Sequence, residues 1–386
     1  MLSLQINYLI ISSLRNLRTV NLSLNPQFNI FCGDNGSGKT SLLEAIHVLT
    51  TGKSFRAHPG RQIISFGEKS CTISGVVAER MGGKSKAEVV ASPIRLGVER
   101  LQTGGIKIRL AEQDCQSIAE LAKTLPLQLI NSDSYAILEA NPQYRRQFLD
   151  WIMFHVEHSF FPTWQRFKRA LQQRNAALKS AQFTSAEHIR VWDKEFVETG
   201  EIMDSLRRAV LSELIPIIHE IMRDLLKIEG EITIQYLPGW DKERFYSLQD
   251  ALDATFDRDR AWGYTTLGPQ RADMEFQIGG VPAKNLLSRG QSKLFICALL
   301  MARATLLYRR KERRCVVLID DLNAELDMEA RRLLLRSLEK LGGQVLITCI
   351  EDEPLLELLE MNPECYSVFQ VKNGQISLAQ LEDAVT

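Results

Sequence analysis

The chain has 386 residues, 45% of them apolar and 24% charged, which is enough for two or three domains and ordinary for a soluble globular protein. Lysine plus arginine balance aspartate plus glutamate at 47 each, which excludes a uniformly basic DNA-coating protein. No apolar run approaches the ~20 residues that span a bilayer, and Met1-Leu2-Ser3-Leu4-Gln5 does not begin like a secretory signal, so a cytoplasmic protein without a membrane partner is expected.

In chain order, Leu4–Ile11 and Leu14–Leu24 alternate apolar and polar residues as strands do, and Phe28–Cys32 is a compact apolar strand. Ser41–Leu49 follows as a helix with Leu42, Leu43, Ile46 and Leu49 on one side. Strand candidates come next at Cys71–Ala78, Lys86–Val90, Ile106–Leu110 and Leu127–Ile130, with turns at Gly82-Gly83 and Gly104-Gly105. From Asn141-Pro142 to about Asp259 the chain reads as helical. Met203, Leu206, Val210, Leu214, Ile217, Ile221 and Leu225 form a heptad-like stripe within Lys194–Lys227, where Pro216 predicts a kink or break. Thr163–Ala181 supplies a partner helix, giving a short antiparallel arm.

After Trp262 the pattern returns to α/β: a helix over Ser292–Arg309, a strand over Cys315–Ile319, a helix over Glu329–Leu341 and a strand over Gln344–Cys349. The continuous apolar runs Val316–Ile319 and Val345–Ile347 suit a parallel sheet covered on both faces. The expected division is residues 1–140, an N-terminal lobe; 141–262, a helical insertion; and 263–386, a C-terminal lobe. Seven scattered cysteines make no CxxC pair and read as reduced packing residues, and the six histidines show no metal-ligand spacing. Charge is uneven locally: residues 141–180 carry seven Lys/Arg against two acids, and 351–386 carry eight acids against Lys372.

Gly33-Asp34-Asn35-Gly36-Ser37-Gly38-Lys39-Thr40 is a complete GxxxxGK[ST] between a strand and a helix. Glycines let such a loop wrap phosphates, and the helix start aims backbone N–H groups at the anion. Gly33 through Ser41 are therefore the nucleotide-binding candidates for ATP, with Lys39 reaching the β- and γ-phosphates and Thr40 a ligand for Mg²⁺. Cys315-Val316-Val317-Leu318-Ile319-Asp320-Asp321 has the buried strand and acidic tip of a Walker B motif. Asp320 is the second Mg²⁺ ligand, and Asp321 orients or deprotonates the attacking water; Asp321, Asp320 and Lys39 are the catalytic candidates.

Leu287-Ser288-Arg289-Gly290-Gln291, before the helix and thirty residues upstream of the Walker B acid, has Ser288 as a good N-cap. The string also resembles the ABC ATPase signature, and Ala324-Glu325-Leu326-Asp327 resembles the D-loop of that superfamily. The resemblance implies an α/β fold, an ABC-type (Rad50/SMC-like) P-loop ATPase head with an inserted, mainly helical arm. It also implies that Ser288, Arg289, Gly290 and Gln291 of a second copy close over the nucleotide, so that ATP binding makes a homodimer.

Lys39 to Ser288 spans 249 residues, more than transporter subunits place there and far less than chromosome-maintenance ATPases do. In this the chain resembles the RecF family of recombination-repair ATPases. Further likeness lies in Thr51-Gly52-Lys53-Ser54-Phe55-Arg56, in Tyr144 to Trp151, in Gln172 to Leu178, and in Leu267-Gly268-Pro269-Gln270-Arg271-Ala272-Asp273, where Gln270 and Ala272 depart from the family pattern. The resemblance implies a slow, DNA-stimulated ATPase that binds gapped or single-/double-strand junction DNA and acts with RecO- and RecR-like partners to load recombinase. Lys53, Arg56, Arg145 and Arg146 are candidate phosphate contacts, or else surface charges and internal ion pairs. Three departures from ABC ATPases stand out. Thr348-Cys349 occupies the switch-histidine place, Asp321 replaces the usual glutamate, and the Q-loop residue is either Gln128 or part of the Asn131–Asp133 turn. Two other classes remain open: the ATP-binding subunit of a membrane transporter, separable by fractionation and DNA binding, and a non-hydrolysing structural clamp, separable by phosphate release.

Overall fold

The computed structural model describes residues 2–56, 63–81, 93–115, 117–180, 186–226, 228, 230–322, 326–350 and 363–379. The expected strand Lys86–Val90 lies outside them. The chain begins with β1 (Leu2–Leu14), β2 (Leu17–Ser23), β3 (Phe28–Cys32), α1 (Lys39–Thr51), β4 (Ser70–Met81), β5 (Ile94–Leu101), β6 (Ile106–Leu110), β7 (Gln113–Cys115), α2 (Ile118–Thr124) and β8 (Leu127–Ile130). The middle is α3 (Ala136–Glu139), α4 (Pro142–Val156), α5 (Phe160–Lys179), α6 (Ala186–Arg190), α7 (Asp193–Leu225), β9 (Ile232–Leu237), α8 (Leu248–Trp262), β10 (Asp273–Ile278) and β11 (Val281–Pro282). The chain closes with α9 (Arg289–Lys311), β12 (Val316–Ile319), α10 (Met328–Leu341), β13 (Val345–Cys349), β14 (Tyr366–Lys372) and β15 (Gln375–Leu378).

Two compact units result. The first joins residues up to Ser134 with those from Arg289 onward, and the second is Tyr135–Ser288. In the first unit, β2-β1-β4-β5-β6-β7 form an antiparallel sheet and β15-β14-β3-β13-β12-β8 a second sheet, in which β14, β3, β13, β12 and β8 run parallel. Every residue of β3, β12 and β13 is buried, which explains why they read as unbroken apolar runs rather than alternating ones. Helix α1 touches strands of both sheets. Its Leu42, Leu43, Ile46 and Leu49 are fully buried, each contributing about 1.5–3 kcal/mol relative to exposure. Helix α9 is long and apolar enough to cross a membrane, but most of it is buried within this unit.

The second unit is the arm. Helix α7 packs on α4, α5, α6 and α8, burying Met203, Val210, Leu214, Ile217 and Leu225 of the predicted stripe. Pro216 does not end it: the helix runs on for 33 residues with the proline inside and exposed. Residues 263–288 differ from expectation. Their α/β pattern suits the C-terminal lobe, yet β10 pairs along its whole length with β9 and packs on α4, so they belong to the arm. The divisions fall after Ser134 and Ser288 rather than after 140 and 262.

Candidate nucleotide site at the carboxyl edge of the parallel sheet

Register sets the site. Cys32 pairs with Cys349, and Ile319 pairs with both Ile347 and Ile130, so β3 and β13 end together and β12 and β8 end together two residues short of them, all at the same edge of the sheet. In open α/β sheets, ligands bind beyond the carboxyl ends of the strands. Gly33, Thr348, Asp320 and Asn131 all lie along that edge.

The P-loop connects β3 to α1. Gly36 has φ 80° and Gly38 φ 121°, backbone conformations that side chains disfavour. The loop is held from outside: Asn16 donates to the carbonyls of Gly36 and Ser37, and the Gly374 N–H donates to the Ser37 carbonyl at 2.7 Å. Inside, the buried Ser37 Oγ has no hydrogen-bond partner among the described residues. The Lys39 ammonium donates to the carbonyls of Gly33 and Asp34 at 2.5 and 2.9 Å. Helix α1 has no side-chain cap and no acid in its first turn, so its leading N–H groups stay available to an anion.

Thr40 Oγ1 donates to Asp320 Oδ1 at 3.1 Å, placing two hard oxygen donors together. Magnesium in phosphate sites takes one or two such protein ligands and completes its shell with phosphate and water. Glycines, unpaired N–H groups, Lys39 and this oxygen pair therefore fit a Mg²⁺–nucleoside triphosphate.

In sequence, Thr348 marks a missing histidine. In the structure, Thr348 Oγ1 donates to Asp320 Oδ1 at 2.8 Å and accepts from the Asp321 backbone N–H at 2.8 Å. One buried hydroxyl thus joins both Walker B acids. Asp321 itself sits at φ 56°, a left-handed conformation costly for an ordinary residue, and Lys293 Nζ donates to its carbonyl at 3.0 Å. Asp321 is an exposed residue. Thr348 could have been found from its place at the end of the strand beside Walker B; Lys293, 28 residues away from Asp321, carried no local signal.

Gln128 is removed from candidacy as a Q-loop residue. It is 2% exposed, and its Oε1 accepts from the buried Arg303 Nη2 at 2.9 Å, so it is locked into the core between β8 and α9. The Asn131–Asp133 turn is at the sheet edge. Arg56 faces the buried Glu44 at 3.8 Å, Arg145 makes a two-pronged ion pair with Asp273, and Arg146 donates to the Ala272 carbonyl. These three cations are internal partners in this chain; Lys53 is exposed. Burial by itself raises the Glu44 carboxyl, but hydrogen bonds from Arg15 and Ser54 and the charges of Arg15 and Arg56 outweigh it and hold it below its ordinary value. Arginines also anchor the 267–273 turn through carbonyls, Arg207 to Pro269 and Arg146 to Ala272, so the unusual Gln270 and Ala272 leave its fixings in place.

Ser288 and Arg289 are exposed and Gly290 and Gln291 half-buried at the start of α9, whose Ser292–Ala304 are buried. The signature string is thus presented at the surface on a firmly packed helix. Of the expected D-loop, Ala324 and Glu325 lie outside the described residues; Leu326 is buried, and Asp327 caps α10 by accepting from the Ala330 N–H at 2.8 Å.

P-loop, Walker B strand and an exposed signature on this two-sheet scaffold define an ABC-type ATPase head of the SMC kind, carrying an inserted arm. The RecF/RecN/SMC N-terminal domain model matches residues 5–377. The chain is 44% identical over 375 residues to the DNA replication and repair protein RecF of Stutzerimonas stutzeri, covering 97% of each, and 42% identical over 367 residues to that of Pseudomonas paraeruginosa, covering 95% of this chain and 96% of the relative. The fold matches a solved structure described as the recombination mediator protein RecF with ATP in the RecFOR pathway, at TM-score 0.83 and 21% identity over 98% of each chain. It matches the Smc head bound to the C-terminal winged-helix domain of ScpA at TM-score 0.57 and 14% identity, again over 98% of each. The chain belongs to the RecF proteins of the RecF/RecN/SMC family.

Proposed function

We propose that this protein is an ATP-timed clamp of recombinational DNA repair: a weak ATPase that dimerises on ATP, holds gapped or junction DNA, and cooperates with RecO- and RecR-like proteins in the cytoplasm to load recombinase. The observation that carries the reading is the chain of contacts from Thr40 to Asp320 to Thr348 to the Asp321 N–H beside the P-loop. Supporting it, the relatives matched over nearly the whole chain are called DNA replication and repair proteins, and a similar fold has been solved with ATP.

Lys39 releases the Gly33 and Asp34 carbonyls to meet phosphate oxygens, and Ser37 and Ser41 lie where the α1 N-terminus receives them. Thr40 and Asp320 would hold Mg²⁺, which supplies charge neutralisation on the β- and γ-phosphates. Asp321, its backbone fixed by Thr348 and Lys293, orients a water. Ser288, Arg289, Gly290 and Gln291 of a second copy supply a hydroxyl and a helix N-terminus to the γ-phosphate. The transporter-subunit alternative has only the shared motifs in its favour.

Fluorescence anisotropy of a labelled gapped duplex tests the reading. ATP with Mg²⁺ is expected to tighten binding by the wild type but not by Lys39→Ala. Equal affinity with and without ATP contradicts the clamp.

A further inference from the structure

The arm carries a surface that the nucleotide site does not use. Trp262 ends α8 with its side chain 58% exposed. The Arg258 guanidinium, one turn back, lies 5.8 Å from the indole ring. Gly263, at φ 71°, turns the chain out of the helix, and Tyr264 brings its ring to 5.8 Å from Trp262. Arg271 then stands 5.3 Å from the Tyr264 ring. Cation, ring, ring and cation follow one another from the last turn of α8 into the loop after it.

The loop is braced from beneath. Arg174 is fully buried; it donates to Asp193 at 2.7 Å, to Asp259 at 2.8 Å and to the Thr265 hydroxyl at 2.7 Å. Asn175 Oδ1 accepts from both the N–H and the hydroxyl of Thr265, and Asp259 accepts from both groups of Thr266. Buried charges of this kind are a poor source of net stability and a good way to fix one geometry. Here they fix the two residues after Tyr264 against α5 and α8. Asp259, the one acid between positions 258 and 271, is buried within this network, so the exposed charges of that segment, Arg258, Arg260 and Arg271, are all positive. The stem of the Lys179 side chain lies against Gly263.

We infer that this braced loop is a binding platform for single-stranded nucleic acid, with unpaired bases stacking on Trp262 and Tyr264 and phosphates meeting Arg258, Arg260 and Arg271. Aromatic rings accept any base through its π-face, and the cations follow the backbone. A duplex hides its base faces, so the platform discriminates for the unpaired part of a gap. The inference rests on the DNA-binding reading above and specifies where the single strand is held.

The test is anisotropy titration of full-length protein, with ATP and Mg²⁺, against a labelled oligothymidylate, a blunt duplex and a gapped duplex. Loss of one stacked base is expected to weaken oligothymidylate and gapped-DNA binding by Trp262→Ala roughly fivefold to a hundredfold, with duplex affinity within about twofold and basal ATP hydrolysis unchanged. Trp262→Phe restores most of the loss. Arg258→Gln leaves one phosphate without its cation and so lowers the salt dependence of oligothymidylate binding by about 0.7 in log–log slope, which Trp262→Ala does not. If Trp262→Ala and Tyr264→Ala both bind oligothymidylate like the wild type, the platform is refuted and the surface belongs to a protein partner. An equal loss on single strand and duplex also refutes it. Wild-type protein that binds none of the three DNAs overturns the DNA-repair reading itself, and the platform falls with it.

Discussion

Thr348→Val removes one hydroxyl from a site that is 1% exposed and keeps the side-chain outline. Two hydrogen bonds of 2.8 Å disappear: one stabilising the Asp320 carboxylate, the other satisfying the Asp321 N–H. A hydrogen bond to a charged group is worth about 1.5–3 kcal/mol and an unsatisfied buried donor costs about 1–3 kcal/mol. The Asp321 backbone, in its left-handed conformation, is held there against about 1–3 kcal/mol of strain. If half of this loss falls on the position of Asp321 in the transition state, steady-state phosphate release drops about 10- to 100-fold, at about 1.4 kcal/mol per tenfold. Affinity for a fluorescent ATP analogue changes little, because the P-loop contacts remain. The Mg²⁺ concentration for half-maximal rate rises, because Asp320 loses a donor that orients it. Thr348→Ser keeps the hydroxyl and is expected to recover most of the rate. Wild-type turnover by Thr348→Val at limiting Mg²⁺ would refute this account of how the chain manages without a switch histidine.

The other expectations are read by simple assays. Lys39→Ala is expected to abolish measurable binding of the fluorescent nucleotide while leaving the thermal midpoint within a few degrees, since its ammonium bonds, among the described residues, to two loop carbonyls. Glu44 is buried with a depressed pKa, so its ionised form stabilises the fold above the ordinary glutamate value of 4.5, and that contribution is lost as pH falls through the lower folded value. Urea midpoints from neutral pH down to pH about 3 should therefore fall less steeply for Glu44→Gln than for wild type, with Glu44→Gln the less stable at neutral pH. Arg174→Met strands Asp193 and Asp259 in the arm interior and is expected to cost about 3–5 kcal/mol in urea unfolding; a loss below about 1 kcal/mol would show that the network does not brace the arm.

What could be read from sequence was whatever is encoded locally. The P-loop glycines, the helix after them and the unbroken apolar runs of β3, β12 and β13 announced the parallel sheet. The first hairpin was half legible: strands were expected at Leu4–Ile11 and Leu14–Leu24, but the turn comes at Arg15-Asn16 and Leu14 closes β1. Non-local pairing hid the rest. Residues 263–288 looked like part of the head until β10 found β9 across α8, and Arg145, left open between a phosphate contact and a surface or paired charge, meets Asp273 from 128 positions away. Gln128 and Thr348 exchanged importance for the same reason. Buried Arg303 claims the first, and the parallel register of β12 and β13 sets the second against both acids.

Molar mass by light scattering, with and without ATP and Mg²⁺ in dilute solution, tests the central claim most directly. In the proposed clamp, half of the site is on the P-loop edge and the other half is the Ser288–Gln291 string of a second copy, which lies at the surface at the start of α9. Wild-type protein is expected to double its mass on adding ATP, and Ser288→Arg to bind ATP yet stay monomeric. A Ser288→Arg protein that still dimerises with ATP, or a wild type whose mass ATP leaves unchanged, would contradict the shared-site clamp.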